Sequence, residues 1–323
     1  MPVLDPNSLP ESSDFELQAP SEDIDSSSFV VEENDNVAVL PESNPSGAVA
    51  DFVGSTAEER LDPNRIQVTV KDKDVPLVLL FGPPACGKTM TLIRLTRYLK
   101  SAGYQVAPVR SLRSSADVHY KGLCDGFDDM VNALDAASST NRISFLLVEV
   151  SKNGRRLCQI LEAPGEHYYN PETPRAAFPT YLNQILAFPM RKIFCVMVEP
   201  NWKDEPDRKG YVDRVNSLKT KMNTRDKVIF VFNKIDQTNF VFGAGRVQVG
   251  EARKEIEQLY PAIFNPFRNV NPITRFWRTW DCDFVPFQTG NYTADADGGN
   301  VFSEGPDAYP RNLWNTILKR CRG

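Results

Sequence analysis

The stretch LVLLFGPPACGKTMTLIRL, Leu77 to Leu95, constrains this chain more than any other. LVLLF is a run of five apolar residues closed by Gly-Pro-Pro, which reads as a strand buried on both faces. KTMTLIRLTRYLKSAG then reads as a helix, with Leu92, Leu95 and Leu99 sharing a face and Gly103 as its stop. Between them, Gly82-Pro83-Pro84-Ala85-Cys86-Gly87-Lys88-Thr89 fits G-x-x-x-x-G-K-[ST]. Glycines let such a loop wrap until its backbone N–H groups aim at phosphate oxygens, and the helix that follows adds its positive end. The phosphate-binding positions are therefore Gly82, Ala85, Cys86, Gly87, Lys88, Thr89 and Met90. In this pattern Lys88 reaches the β- and γ-phosphates and the Thr89 hydroxyl binds Mg²⁺. Pro83 and Pro84 have no N–H, so the donors come from later in the loop. Cys86 is either a thiol activated by the helix N-terminus or, more plainly, a small apolar loop residue.

Strand-like and helix-like runs alternate along the rest of the chain. IQVTV (66–70) and YQVAPV (104–109) are short strand candidates, and KIFCVMVEP (192–200), KVIFVF (227–232) and CDFVPF (282–287) read as strands of the sheet. RISFLLVEVSKNGRRLCQILEAPGE (142–166) has two apolar segments around Asn153-Gly154, a strong hairpin signal. Helical spacing appears at Phe127, Met130, Val131 and Leu134, in VDRVNSLKTKM and in VGEARKEIEQLYPAIF. It appears again in PRNLWNTILKRC, with Leu313, Trp314 and Ile317 facing inward. This alternation predicts an α/β fold whose sheet is mostly parallel, with one antiparallel hairpin over 143–162.

KVIFVFNKIDQTN decides between purine bases. Asn233-Lys234-Ile235-Asp236 follows a strand, about 145 residues beyond Lys88, and fits N-K-x-D. A carboxylate at Asp236 accepts from guanine N1–H and the exocyclic N2 amine, and adenine offers no such pair of donors. The Lys234 stem packs on the base, and Asn233 ties the loop to the phosphate side. The competing reading is a polar turn that ends a strand.

On these motifs the chain resembles the TRAFAC-class P-loop GTPases, the Ras-like and translation-factor group, over roughly residues 66–320. It is similar to a divergent bacterial G domain of the double-GTPase type. The resemblance implies a P-loop NTPase three-layer sandwich. It also implies a hairpin whose second strand ends in D-x-x-G, and here that place reads Glu162-Ala163-Pro164-Gly165. Mg²⁺ would be held by Thr89, Glu162 and a switch I threonine, for which Thr140 in SSTNRISF is the candidate. Glu162 is one methylene longer than the usual Asp, which alters the coordination, and Glu149 is a rival carboxylate. Gly165 would offer its N–H to the γ-phosphate. Thr289 and Gly290, in Gln288-Thr289-Gly290, stand where the class backs the base with S-A-K. Glu166 and His167, just after the switch II glycine, are the catalytic candidates. Arg175 is either an internal arginine finger or a surface arginine. The implied function is a GTP/GDP-binding molecular switch with slow, partner-stimulated hydrolysis to GDP and phosphate. The alternatives are a nucleotide-binding interaction module without turnover and a P-loop ATPase. The ATPase requires the Asn233–Asp236 match to be accidental, and the chain lacks a hydrophobic run ending in Asp-Glu.

Charge divides the chain. Residues 1–62 hold 15 Asp or Glu and one basic residue, Arg60. They carry −14 against −5 for the whole, leaving +9 on the remainder. This predicts a disordered acidic tail over 1–62 and a G domain over 63–323, with a long switch I insert at about 104–141. SSFVVEENDNVAVL (27–40) is a small apolar island in the tail, either a docking motif or an idle patch. The six cysteines form no C-x-x-C pair and there are two histidines, His119 and His167, so no zinc site is expected. No apolar run approaches the ~20 residues of a membrane span and the first residues have no signal-peptide pattern, so a cytoplasmic protein is expected. RFWRTW (275–280) is the nearest thing to a basic-aromatic cluster and reads as core or partner surface. Nucleic acid is accordingly not an expected ligand, and a protein partner or activator is.

Overall fold

The structure, a computed structural model, describes residues 54–132, 145–294 and 300–322. They fall in one compact unit, Val49–Gly323. Thr140, Leu134 and nearly all of the expected acidic tail lie outside the described residues.

The main sheet is built from β1 (Leu77–Phe81), β2 (Gln105–Pro108), β3 (Leu146–Lys152), β4 (Arg155–Glu162), β5 (Lys192–Val198) and β6 (Lys227–Phe232). Two short strands, β7 (Val241–Gly243) and β8 (Arg246–Val247), pair apart from it, and β9 (Cys282–Pro286) closes its edge. The order is β2-β3-β4-β1-β5-β6-β9. Strands β4, β1, β5, β6 and β9 run parallel, and β2/β3 and β3/β4 are antiparallel. The α/β fold with a mostly parallel sheet is the one expected. So is the antiparallel β3/β4 hairpin, to whose edge YQVAPV adds a further antiparallel strand, β2. Part of the supposed insert is thus sheet. At the β3/β4 turn Asn153 (φ 52°) and Gly154 (φ 75°) are both left-handed, the geometry a two-residue hairpin loop demands.

The helices are α1 (Ala57–Leu61), α2 (Lys88–Ser101), α3 (Val118–Asp125), α4 (Phe127–Asn132), α5 (Gly165–Tyr168), α6 (Thr180–Ala187), α7 (Glu205–Lys221), α8 (Val249–Leu259) and α9 (Ala308–Arg322). Successive strand residues face opposite sides, and β1 illustrates the layers that result. Phe81 stacks on Tyr211 of α7. On the other face, Leu80 has Cys195 as its register partner, and α9 packs against β4, β5 and β6. Leu313, Trp314 and Ile317 of α9 are buried, as their spacing predicts. Among the described residues no helix is long and apolar enough to cross a membrane.

Two expectations fail at the amino end. IQVTV is not a strand: Ile66 and Val70 are buried, but the segment joins no ladder, and Thr69 N–H donates to the Leu112 carbonyl (2.8 Å). The segment expected as tail to residue 62 contains α1, opened by a capping box between Thr56 and Glu59. Glu59 is buried against the Arg113 guanidinium, which also bonds Asp117 (2.8 Å) and the Gln67 carbonyl (2.5 Å). Acid-rich composition suggested a solvated leader, but one carboxylate with a buried arginine partner is enough to pin it. Farther along, Asn64 Oδ1 accepts from both the N–H and the hydroxyl of Thr180 (3.0 Å each), capping α6 from a distance. Gly54 (φ 64°) lies so close to the Phe145 carbonyl that a Cβ would sit 2.5 Å from it. Residues 54–66 therefore form a strap that spans the start of β3, the Arg113 turn and the N-terminus of α6.

Candidate functional site

The loops at the C-terminal ends of β1, β4, β5, β6 and β9 meet at one edge of the sheet, where ligands of parallel α/β sheets bind. Loop 82–87 leaves β1 and turns into α2 through two left-handed residues, Ala85 (φ 60°) and Gly87 (φ 86°). Ala85 carries a Cβ in that conformation, a cost of order 1–2 kcal/mol that tends to mark functional loops. Gly82 is obligatory, because a Cβ there would lie 2.6 Å from Cys86 Sγ and 2.9 Å from Met197 Cβ. The Lys88 ammonium is buried and donates to the Pro83 carbonyl (2.9 Å), curling over the loop it serves. Met90 is buried beside it in the first turn of α2.

The loop after β6 reaches back to this one. Asn233 is fully buried and its Nδ2 donates to the Cys86 carbonyl (2.9 Å). Gly87 makes room for it, since a Cβ there would stand 2.2 Å from Asn233 Nδ2. Asn233 N–H donates to the Val198 carbonyl (2.8 Å), Phe287 N–H to the Phe232 carbonyl (2.7 Å), and Ile235 N–H to the Phe287 carbonyl (3.2 Å). The Asn233–Asp236 loop is thus stitched to the end of β5 on one side and to Gln288-Thr289-Gly290 on the other. Lys234 is left-handed (φ 55°) and its ammonium meets the buried Glu199 carboxylate (2.5 Å). Asp236 is exposed, and Thr289 is buried.

The end of β4 supplies the third part. Thr89 Oγ1 donates to Glu162 Oε1 (2.9 Å), while Glu162 Oε2 is buried with no hydrogen-bond partner. Burial pushes the Glu162 carboxyl up to about 7, with Lys88 and the Thr89 hydroxyl opposing. Gly165 opens α5 directly against the loop: a Cβ would stand 2.2 Å from Pro84 N and 2.4 Å from the Pro83 carbonyl carbon. His167 is buried, with Nδ1 2.7 Å from the Tyr181 hydroxyl, and burial together with the nearby Lys88 charge pulls its imidazole down to about 4. Glu166 is exposed, and both residues line a 580 Å³ cavity whose other wall is the strap, including Glu59, Arg60 and Asn64.

No protein-family model matches this sequence, and no curated protein matches it. Among solved structures, similarity extends to a Plasmodium falciparum protein assigned as nucleolar GTP-binding protein 1, at 11% identity and TM-score 0.39, covering 79% of this chain and 90% of that one. A mutation variant of SsGBP overlaps at 13% identity and TM-score 0.35, covering 77% of this chain and 57% of the other. The RocCORdC unit of Methanosarcina barkeri Roco2, bound to GDP, overlaps at 11% identity and TM-score 0.32, with 79% and 52% covered. The chain therefore spans little more than half the length of the last two. At these scores the overlaps carry no weight for function, which is read from the site's own residues.

Some sequence candidates stand outside the cluster. Glu149 pairs with Gln159, three residues down the sheet from Glu162, so it is about 10 Å from the metal-side position at ~3.3 Å per residue. It bonds toward Arg156 (3.7 Å) instead. Arg175 is exposed. Cys86 is buried and burial pushes its thiol up, against the activated reading. A larger cavity of 1140 Å³, lined by Arg65 of the strap, Arg113 of its turn and His119 of α3 among others, includes no residue of the 82–89 loop.

Other residues of the site were not singled out from the sequence. Trp202 Nε1–H donates to the Pro84 carbonyl (3.2 Å), and its ring packs on Tyr169 and Tyr211. Tyr181, Glu199 and Tyr168, whose buried hydroxyl has no partner, complete the surroundings. Only Glu199 had a usable signal, a charged residue directly after a buried strand.

Proposed function

We propose that this chain binds guanine nucleotides and acts as a switch that hydrolyses GTP slowly, with a protein partner as accelerator. The observation that carries the reading is the 2.9 Å bond from Asn233 Nδ2 to the Cys86 carbonyl. It ties the Asn233–Asp236 loop to the 82–89 loop, 147 residues away in the chain, which supports one nucleotide spanning both. Asp236 is exposed, and so is open to a guanine edge.

The residues at the phosphate end fit Mg²⁺. Thr89 and Glu162 offer only oxygen, and the buried, unpartnered Glu162 Oε2 is the kind of group a hard cation satisfies. Bound there, the ion would neutralise charge on the β- and γ-phosphates. On this reading Lys88 would exchange the Pro83 carbonyl for phosphate oxygens, and the Gly165 N–H would be offered to the terminal phosphate. His167 is neutral at pH 7. In the tautomer whose Nδ1–H donates to Tyr181, its Nε2 is an acceptor that can orient the attacking water. With a pKa of about 4 it is a weak base, and the exposed Glu166 adds negative charge beside the same cavity. Both features support slow intrinsic turnover and also keep alive the second reading, a nucleotide-binding module without turnover.

Competition of labelled GTP with unlabelled GTP, GDP and ATP in Mg²⁺ tests the first step. Preference for guanine that Asp236→Ala abolishes supports the reading, and equal competition by ATP sinks it. Hydrolysis followed over hours then separates switch from module. Turnover well above about once per minute without a partner would contradict the slow-switch mechanism.

A further inference from the structure

The buried Glu199 has no part in the chemistry above, yet it holds a residue that does. It stands one position past β5, and its carboxylate is paired with Lys234 Nζ at 2.5 Å. Its own carbonyl accepts from the Tyr260 hydroxyl (3.0 Å), just after α8. Its predecessor Val198 accepts from Asn233 N–H (2.8 Å). The carboxylate is 4% exposed and the lysine side chain 32%. Burial raises the Glu199 carboxyl while Lys234 opposes the shift. Such a carboxylate is costly to bury unless its partner stays in place.

We infer that Glu199 is a positioning residue for nucleotide affinity: it anchors the Lys234 ammonium so that the four-carbon stem is laid out in advance as the platform for the base. The inference rests on the guanine-binding reading. A lysine stem carries more rotamer entropy than most side chains, and a free stem loses most of it when it is pinned against a ring. Two constraints remove that freedom beforehand. The left-handed backbone at Lys234 sets the direction in which the side chain leaves, and Glu199 fixes its far end. What Glu199 contributes is therefore preorganisation of one face of the base site. It makes no distinction between base edges, which is the task of Asp236.

The assignment separates two effects that a simple loss of binding would merge. Loosening the stem weakens every purine nucleotide by the same factor, because stacking ignores the substituents that Asp236 reads. It leaves ligands without a base untouched, because Lys88 and the loop are held by other bonds. It also has no effect once the lysine charge is gone.

The test is a double-mutant cycle of Glu199→Gln and Lys234→Met, read by the Kd values of GTP, ITP and pyrophosphate in Mg²⁺. Lys234→Met keeps an unbranched stem and loses the ammonium. Glu199→Gln keeps an acceptor and the shape, and so protects the fold. Glu199→Gln is expected to weaken GTP and ITP alike by about fivefold to tenfold, part of the rotamer freedom that a loosened stem must give up on binding. Pyrophosphate should bind as before. In the Lys234→Met background Glu199→Gln should change nothing further in Kd. Equal losses in both backgrounds, a pyrophosphate loss that matches the GTP loss, or a change in the GTP/ITP ratio would each overturn the assignment. If the wild-type protein shows no preference for guanine, the proposed function falls with it. If the preference is present and the cycle is additive, the positioning role alone falls.

Discussion

Two buried groups at the site are shifted in opposite directions, and their effects on stability should nearly cancel until one is removed. Glu162 moves from 4.5 up to about 7. Between those values the folded chain holds a proton there that the unfolded chain has released, so stability falls as pH rises through the window. His167 moves from 6.5 down to about 4. Between those values the unfolded chain holds the extra proton, so stability rises with pH. Each contributes about 1.4 kcal/mol per pH unit, with opposite sign, over the shared range of 4.5 to 6.5. From pH 6.5 to 5.0, therefore, Glu162→Gln should expose the histidine term and lose about 2 kcal/mol on acidification relative to wild type. His167→Asn should expose the carboxyl term and gain about 2 kcal/mol on the same scale. Asparagine keeps a donor toward Tyr181 and glutamine keeps an acceptor for Thr89, so neither change empties the core. Urea unfolding at three pH values, in EDTA and without nucleotide, measures all three proteins. Parallel pH dependences would refute the reasoning, because they would mean that neither group is desolvated as its surroundings imply.

Gly165→Ala should clash with the backbone of Pro83 and Pro84 and weaken GTP binding at least tenfold, while Gly103→Ala, which meets nothing within 4 Å, should leave binding intact despite its φ of 77°. Titration and thermal melts of both variants check this. The Cys86 thiol, buried and pushed up, should react with a maleimide far more slowly than the partly exposed Cys321, as peptide mapping of a timed labelling would show. Asn64→Ala removes the cap of α6 and should cost about 1 kcal/mol in chemical denaturation, with faster amide exchange in 180–184.

The mostly parallel sheet and the meeting of the 82–89 and 233–236 loops were legible because each rests on local chemistry. Lys88 and Thr89 follow a glycine that opens a helix, and Asn233 follows a buried strand. Spacing gave no means of placing Glu149, whose distance from Glu162 depends on strand register and not on separation along the chain. Tyr181 and Trp202 touch the site through tertiary packing alone, and no motif marks them. The acidic composition before residue 62 hid α1 for a related reason. Net charge describes a segment on average, whereas Glu59 is held by one guanidinium from Arg113, fifty-four positions later. IQVTV had the right alternation and no neighbouring edge to pair with, and no single sequence reports that.

The strap also bears on how the chain assembles itself. Its anchor Thr180 lies 116 residues downstream of Asn64, so synthesis at roughly 5–20 residues per second leaves Asn64 waiting about 6–23 s for its partner. Gly54 waits similarly for Phe145. Closing such long loops late is slow relative to the local pairing of β3 with β4, which needs only a two-residue turn. The strap is thus seated only after the β3–β4 hairpin that it spans has been made, long after its own residues leave the ribosome.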